Sequence, residues 1–580
     1  MKPHSALACT LIAGLLLHHA LSCTVIYVGP QASTDGSSFV GHSSDGDGET
    51  DPRLVHIPSR DYPEGALRPI FESPESYPRY VGYDRGAPAY YPVGDQQPFK
   101  PIGYIPQVKH TFAYHEETYA AINEHQVAIG EATCSAIYNA MPVNLGGKAL
   151  LSIDELSRIA LERSRTARDA VVLMGTLAEQ YGFYGPGFEG TGESLIVADP
   201  YDGWIFHILP DPTGASAIWA AQQIDPKHMT VVANMFIIRE IDFNSNKFMY
   251  SKGIYELAVR EKLIKNGDPL DFTMAFSAGE YSHRYYSGRR MWRAMTLAAP
   301  SQASKLVANY TNLRTDKPYP VSIQPDNLMS LDDVMKIYRD YLEGTDMDLA
   351  RGLASGPFNM PDRFTGGKGE SQVRGSWERA IAIIRTCDSY IAQLRPSLEG
   401  AIGGTLWYGP HAPHGTVWVP FAAGMPSLPD EYSWGFQAVF NRSTAFWAHR
   451  AVLNIATIKF NYAIQDVKAL QQQYEKEAQK MVDSLIQRYI SKQIPFSKVT
   501  DEMTKFAQSV VRRWWQLADE LIFKYADGFI NEPGNIGQSP GYPAWWLSAV
   551  DYQNGPPRQV SATEAGDRAV CPIPPGLRMV

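Results

Sequence analysis

The stretch "CTVIYVGPQASTDGSSFVGHSSDGDG", from Cys23 to Gly48, decides the fold of the first part of the chain. Residues 24–29 are mostly β-branched or aromatic, a composition typical of a strand. Turn residues follow, with Asp35 and Gly36 at the tip, and residues 39–45 return to an extended pattern. The stretch therefore predicts a β-hairpin that begins directly after Cys23.

Residues 1–22 have the pattern of a signal peptide. Lys2 precedes an apolar run, and Ala20 and Ser22 place small residues at the −3 and −1 positions of a cut before Cys23. The run is shorter than the roughly 20 residues needed to span a bilayer, which favours cleavage over the alternative of a short anchor helix. We therefore expect an exported protein that is secreted, lumenal or periplasmic after cleavage.

Cleavage at that point gives Cys23 a special chemistry. A chain that starts with cysteine carries a free α-amine, with a pKa of about 7.7–8.0, beside a thiol with a pKa of about 8.5. A base and a nucleophile on one residue form a compact catalytic unit. Two other roles for Cys23 stay open, a lipid-modified cysteine and a half-cystine. Ala20 at −3 fits a lipidation signal poorly.

The composition describes a large globular protein without a polyanion-binding surface. The chain has 580 residues, of which 44% are hydrophobic and 19% charged, so two or more packed regions are expected. The net charge of -9 without a long basic run argues against nucleic acid as a partner. No segment after the leader is apolar enough for stable membrane insertion. The sequence leaves open whether the chain forms a homo-oligomer.

Cysteine and histidine spacing predicts neither a metal site nor a cofactor. The 5 cysteines form no C-x-x-C pair and are too few for a disulfide scaffold in a chain of 580 residues. The 14 histidines show no spacing typical of metal ligands. Cys134 by itself is expected to be a small buried apolar residue.

The rest of the chain alternates between strand-rich and helix-rich segments. Residues 152–182 predict two helices, with a capping box of Ser152 and Glu155 at the start and Gly182 after the end. Strand candidates follow, the last of them at 230–241. We divide the chain into a signal peptide (1–22), a catalytic domain with loop-rich insertions (23–440), a helical region packed on it (441–530) and a Pro/Gly-rich tail (531–580).

Several blocks of sequence resemble peptidase family C69. They are the Cys23 hairpin, "AINEHQVAIGE" (Ala121 to Glu131), "YGFYG" (Tyr181 to Gly185), "GESLIVADPYDGWIFHIL" (Gly192 to Leu209), "VVANMFIIREID" (Val231 to Asp242) and "RRMWRAMTLAAPS" (Arg289 to Ser301). The resemblance covers roughly residues 23–460. It implies an N-terminal nucleophile hydrolase related to choloylglycine hydrolase and penicillin V acylase. The implied fold class is α+β, a four-layer αββα arrangement, here with additional C-terminal helices.

The resemblance also implies roles for individual residues. Cys23 matches the nucleophile, and Asp45 matches an aspartate beside the nucleophile and its amine. Asn234 matches the asparagine whose amide stabilises the oxyanion, and Arg290 matches a supporting arginine. A backbone N–H near Thr133 and Cys134 is expected as the second oxyanion donor.

One position departs from the family pattern. Many relatives have arginine three residues before the position of Asp45, and this chain has His42. The departure leaves the substrate-binding role of His42 open.

The function implied by the resemblance is an exported cysteine dipeptidase that hydrolyses dipeptides through a thioester on Cys23. Two alternatives remain at this stage. The same fold could hydrolyse N-acyl amides, as the choloylglycine and penicillin acylase relatives do. The chain could also be a lipid-anchored binding protein without catalytic activity.

Overall fold

The computed structural model describes residues 23–46, 50–72, 80–81, 92, 95–185, 191–309, 319–364, 373 and 375–555. The predicted leader at 1–22 and the end of the tail at 556–580 lie outside the described residues. The predicted hairpin after Cys23 is confirmed. Two antiparallel strands are paired from Thr24 opposite Ser43 to Val28 opposite Phe39. Gly36 has a φ of 77° at the tip of the connecting turn, a conformation that glycine adopts without strain.

The strands are numbered in chain order. They are β1 (Thr24–Val28), β2 (Ser38–Asp45), β3 (Val55–Ile57), β4 (Arg60–Asp61), β5 (Leu67–Phe71), β6 (Pro101–Pro106), β7 (His110–Thr111), β8 (Tyr114–Glu116), β9 (Ala120–Asn123), β10 (Ala128–Cys134), β11 (Gly192–Ala198), β12 (Gly203–Pro210), β13 (Ala217–Gln223), β14 (Met229–Val232), β15 (Phe248–Tyr250), β16 (Thr386–Leu394), β17 (Gly404–Pro410), β18 (Val419–Ala422), β19 (Ile530–Glu532) and β20 (Asn535–Gln538).

The helices are numbered in the same way. They are α1 (Ile153–Arg163), α2 (Ala167–Tyr181), α3 (Ile254–Arg260), α4 (Phe272–Phe276), α5 (Arg289–Ala298), α6 (Leu331–Tyr338), α7 (Gly400–Gly403), α8 (Asp430–Ser433), α9 (Ala445–Ala456), α10 (Phe460–Ile490), α11 (Phe496–Tyr525) and α12 (Ala544–Ala549). A single π-helical turn, Arg284–Gly288, leads directly into α5.

Two antiparallel sheets form the centre of the molecule. The first sheet has the strand order β14-β1-β2-β16-β17-β18, so the N-terminal hairpin lies inside it. The second has the order β15-β13-β12-β11-β10-β9-β8-β3. The sheets meet where β1 and β2 pack against β10 and β11. A Cβ added to Gly130 of β10 would lie only 2.6 Å from Val25 Cγ1 of β1, and this close approach requires glycine.

Helices cover the side of each sheet that faces away from the other. The apolar faces of α1 and α2 pack on the second sheet, where Gly175 allows α2 to lie directly against the indole of Trp219. On the first sheet α5 packs against β14, and α6 packs against β2 and β16. The α+β class is therefore confirmed.

The helices after residue 441 pack on the first sheet through α11 and β18. Arg339, at the end of α6, donates to Glu475 of α10 over 2.9 Å. None of the helices in the described part of the chain is long and apolar enough to cross a membrane. The division into domains stays a prediction.

Two local predictions are wrong. The capping box at α1 does not form, because the Ser152 hydroxyl donates to the Asp154 carboxylate and makes no side-chain cap hydrogen bond. The strand candidate at 230–241 ends at Val232, since Asn234 takes a left-handed conformation with a φ of 54° that no strand accommodates.

Candidate active site

The strand alternation of β1 and β2 sorts the candidate residues onto two faces of the first sheet. Val25 lies opposite His42 and Thr24 opposite Ser43, so Cys23 and His42 share one face while Thr24 and Asp45 share the other. We call the face with Cys23 and His42 the inner face, because Val25 on the same face contacts the second sheet. We call the face with Thr24 and Asp45 the outer face, and α5 and α6 cover it.

On the outer face, Arg290 of α5 connects the start of β1 to the end of β14. Its Nη1 donates to the carbonyl oxygen of Cys23 over 2.7 Å and to Thr24 Oγ1 over 3.0 Å. Its Nη2 donates to Asn234 Oδ1 over 2.8 Å. Burial, followed by the charge of Arg379, lowers the pKa of Arg290 to about 9. A guanidinium suits this position because its planar fork serves several acceptors at once.

Asn234 is held at both ends of its amide group. While Oδ1 accepts from Arg290, Nδ2 donates to the carbonyl oxygen of Thr133 over 2.7 Å. The Asn234 carbonyl accepts from the hydroxyl of Ser287, which lies in the π-helical turn before α5. The amide therefore has one fixed orientation, and its nitrogen side lies toward the strand that carries Thr133.

Asp45 ends β2 on the outer face and is almost fully buried. Its carboxylate accepts from the guanidinium of Arg379 and from the hydroxyl of Thr386. Arg379 also lies with its Cζ 6.0 Å from the ring centre of Tyr286. Asp45 is thus paired with a cation that no sequence motif indicated.

On the inner face, the Cys23 thiol has two titratable neighbours. Its Sγ, one ring nitrogen of His42 and one carboxylate oxygen of Glu131 all lie within 4.8 Å of one another. Burial raises the pKa of the Cys23 thiol well above its ordinary value, and the charges of Glu131 and Asp45 raise it further. A backbone hydrogen bond from Asp45 opposes this shift. The thiol is therefore protonated at neutral pH and needs a base before it can attack.

His42 lies between two buried carboxylates. Its Nδ1 is 3.4 Å from Glu117 Oε1, and its Nε2 is 3.9 Å from Glu131 Oε2. Burial lowers the pKa of the ring, but the hydrogen bond and charge of Glu117, then the charges of Glu131 and Asp45, outweigh it and raise the pKa overall. The ring thus places a titratable imidazole beside Cys23.

Thr133 and Cys134 lie at the end of β10, and the structure places only the first beside Asn234. Thr133 Oγ1 donates to Glu131 Oε1 over 2.9 Å. The Cys134 thiol is buried and makes a hydrogen bond of 3.1 Å with Ser194 Oγ, in agreement with its expected role as a small core residue. The next backbone N–H, that of Ser135, donates to the carboxylate of Glu280. Burial raises the pKa of Glu280 to about 8.

Sequence reasoning missed three residues of this site: Glu117, Glu131 and Arg379. Glu131 had one signal, since it is the single charged residue in the stretch "AIGEATC", from Ala128 to Cys134. Glu117 follows directly after another fully buried strand. Arg379 stands in a loop, and no pattern in the sequence relates it to Asp45.

A family model connects this geometry to known proteins. The model of peptidase family C69 matches residues 94–473, a span that holds Glu131, Asn234 and Arg290. The chain belongs to peptidase family C69. Cys23, His42 and Asp45 precede the matched segment.

Curated relatives agree with that assignment. A probable dipeptidase of Latilactobacillus sakei is 25% identical over 441 residues, which cover 75% of this chain and 80% of the relative. A probable dipeptidase of Salmonella dublin is 23% identical over 439 residues, or 73% of this chain and 86% of the relative. Dipeptidase A of Lactobacillus helveticus is 20% identical over 448 residues, which cover 76% of this chain and 82% of the relative. This member of family C69 therefore matches most of the length of proteins named as dipeptidases.

Proposed function

We propose that this C69 peptidase is an exported cysteine dipeptidase with Cys23 as its N-terminal nucleophile. The observation that carries the proposal is the double attachment of Arg290, which donates to the Cys23 carbonyl oxygen over 2.7 Å and to Asn234 Oδ1 over 2.8 Å. One guanidinium thereby fixes the proposed nucleophile relative to the proposed oxyanion donor. Such fixed geometry is what acyl transfer requires of a catalytic site.

The proposed reaction passes through a thioester. After removal of the leader, the Cys23 α-amine takes the thiol proton and the thiolate attacks the carbonyl carbon of the peptide bond. The Asn234 amide and a backbone N–H at Thr133–Cys134 stabilise the oxyanion, and the amine returns the proton to the leaving nitrogen as the C–N bond breaks. Water then cleaves the thioester, releases the second product and restores the thiol.

The fold is proposed to be that of the N-terminal nucleophile hydrolases. Its support is the order of the layers, with α1 and α2 on one antiparallel sheet and α5 and α6 on the other. The proposed nucleophile directly precedes β1 of the first sheet, and removal of the residues before it would give it a free amine.

Dipeptides are the proposed substrates, in keeping with the names of the relatives. The Glu131 carboxylate, one oxygen of which lies within 4.8 Å of Cys23 Sγ, supports this choice, because it is complementary to the free ammonium group of a dipeptide. An N-acyl amide, the alternative substrate, lacks that charge. Export stays part of the proposal and rests on the leader pattern at 1–22.

The test compares hydrolysis by the processed protein and by its cysteine variants. Cys23→Ala is expected to abolish dipeptide hydrolysis and Cys23→Ser to leave a small residue of it. Cys387→Ala removes another buried thiol and is expected to keep full activity. Full activity of Cys23→Ala overturns the mechanism. Faster hydrolysis of N-acyl amides than of dipeptides by the wild-type protein overturns the substrate class.

A further inference from the structure

The inner face brings together a thiol, an imidazole and a carboxylate from three separate strand regions. The donor atoms of Cys23, His42 and Glu131 lie within 4.8 Å of one another, and all three side chains are buried. Thiolate, imidazole and carboxylate are the three ligand types that zinc uses in proteins. These three side chains are therefore a chemically suitable set of zinc ligands, whether or not Cys23 is also the nucleophile.

Two of the three donors have hydrogen-bonding capacity left over. Among the residues that the structure describes, His42 Nε2 and Glu131 Oε2 have no hydrogen-bond partner, and His42 Nδ1 has only Glu117 Oε1, at 3.4 Å. Leaving a buried polar atom unpaired costs about 1–3 kcal/mol. A bound cation would satisfy His42 Nε2 and Glu131 Oε2 together.

Glu117 occupies the position, relative to His42, of the carboxylate that supports a zinc-binding histidine. Its Oε1 is 3.4 Å from His42 Nδ1, on the ring edge away from Nε2, and Nε2 is 3.9 Å from Glu131 Oε2. Histidines that bind zinc through one nitrogen commonly donate the other N–H to a carboxylate, which fixes the tautomer and strengthens the ligand. Glu117 can hold His42 with Nε2 as the metal-binding atom.

We propose that Cys23, His42 and Glu131 form a binding site for one Zn²⁺ ion, which blocks the nucleophile reversibly. The Zn–S bond forms as the S–H proton of Cys23 leaves to solvent, and no electron is transferred. Inhibition by the ion and its fourth ligand rest on the proposed function, whereas binding through the three side chains does not. In the processed protein the Cys23 α-amine completes a chelate ring with its own thiolate and supplies a fourth ligand.

The distances permit this without a change of fold. Zn–ligand bonds of about 2.0–2.3 Å place two ligands of a tetrahedral ion about 3.3–3.8 Å apart. The separation of 3.9 Å between His42 Nε2 and Glu131 Oε2 is close to that range. All three donor atoms lie within 4.8 Å of one another, so the remaining donors need to approach by about 1 Å.

The first experiment measures metal binding without substrate. Processed protein is titrated with Co²⁺, followed by the near-ultraviolet absorbance of a thiolate–cobalt bond, and Zn²⁺ is then used to displace it. We expect one ion per chain, loss of the thiolate band in Cys23→Ala, and at least tenfold weaker binding in His42→Asn and in Glu131→Gln. His56→Asn, which alters another mostly buried histidine, is expected to bind as the wild type does.

A rescue variant separates ligation from damage to the fold. His42→Cys replaces one zinc ligand by another and is expected to bind Zn²⁺ more tightly than His42→Asn does. Absence of the thiolate band in the wild type, or equal binding by His42→Asn and His56→Asn, overturns the proposal.

The second experiment keeps this outcome distinct from the proposed function. Hydrolysis is measured with Zn²⁺ and again after addition of EDTA, and we expect inhibition that EDTA reverses. A protein that hydrolyses dipeptides through Cys23 but shows no thiolate band contradicts the zinc site alone. If the wild-type protein shows the thiolate band and the Cys23→Ala variant keeps full activity, the proposed function alone is contradicted.

Discussion

The two faces of the N-terminal hairpin treat their polar groups in opposite ways. On the outer face, Arg290 serves the Cys23 carbonyl, Thr24 and Asn234, and Arg379 and Thr386 serve the carboxylate of Asp45. On the inner face, within the described part of the chain, His42 Nε2 and one oxygen of Glu131 have no hydrogen-bond partner, and His42 Nδ1 has only Glu117 Oε1, at 3.4 Å.

This difference distinguishes residues that hold the site in place from residues that contact a ligand. A buried polar network with this many hydrogen bonds is rigid, and here it fixes the backbone at Cys23 and the amide of Asn234. Unpaired buried groups are costly to the fold, and a catalytic role or a bound ion is among the reasons for which proteins retain them. The outer face therefore positions the site, and the inner face is the one that we expect substrate or metal to contact.

The largest effect is expected from the outer face. Arg290→Met leaves the Cys23 carbonyl and Asn234 Oδ1 without their donor, at about 1–3 kcal/mol for each buried acceptor. We expect kcat/KM to fall by roughly 10³ or more, since loss of one oxyanion donor alone typically costs roughly 10²–10³. Steady-state kinetics and urea unfolding measure the two effects.

Arg289→Met is the matched control for Arg290→Met. Arg289 is equally buried on the same helix but pairs with Glu378, and it makes no contact with Cys23 or Asn234 among its hydrogen bonds in the structure. Its loss is expected to lower stability and to leave kcat/KM largely unchanged. Equal loss of activity in both variants would show that the outer face has only a structural role.

A smaller effect is expected from Asn234, where amide and backbone can be separated. Asn234→Ala and Asn234→Gly both remove the amide, and each is expected to lower kcat by roughly 10²–10³. Because φ is 54°, alanine is strained and glycine is not, so the alanine variant should be less stable by about 1–2 kcal/mol. Activity restored by glycine alone would assign the role of Asn234 to its backbone.

Glu280 extends the comparison to a buried carboxyl group that accepts a hydrogen bond. Burial raises the pKa of Glu280 to about 8 from its ordinary value of 4.5. Between these two pH values the folded protein therefore keeps a proton on Glu280 that the unfolded chain has lost. This contribution to stability is complete below pH 4.5 and is lost as the pH rises to about 8, by up to about 1.4 kcal/mol per pH unit.

The measurement is urea unfolding across this pH range. Glu280→Gln keeps an uncharged group and is expected to flatten the decline in stability between the two pH values. An identical pH profile in the variant and the wild type would contradict a proton held on Glu280.

The smallest effect is expected from Tyr390, an inner-face residue of β16 whose hydroxyl donates to the carbonyl oxygen of Ile129 on the second sheet. Tyr390→Phe removes one hydrogen bond between the sheets, at about 0.5–1.5 kcal/mol, and should change kcat/KM less than tenfold. A loss of activity as large as that of Arg290→Met would place the supporting network on the inner face instead.

The sequence predicted those parts of the fold that depend on local pattern. The hairpin after Cys23 and the end of α2 at Gly182 follow from strand and turn composition and from helix capping. The capping box at Ser152 failed because a nearer carboxylate, Asp154, competes for the hydroxyl. The strand at 230–241 was overestimated because its apolar run conceals the left-handed turn at Asn234.

The site was predictable only where the family resemblance reached. Cys23, Asn234 and Arg290 were named from aligned blocks, and the structure brings them into contact. Glu131 and Arg379 were missed because their partners lie far away in the sequence and meet them only through pairing and packing of the sheets. The same reason explains why cysteine and histidine spacing gave no sign of the zinc set.

The central claim is that Cys23 is the first residue of the active enzyme. Intact-mass analysis of purified, catalytically active protein tests it most directly, combined with fragmentation of the N-terminal peptide. The predicted result is a chain that starts at Cys23 with an unmodified amine and thiol. Full dipeptidase activity in protein that retains residues 1–22, or that carries a lipid on Cys23, would contradict it.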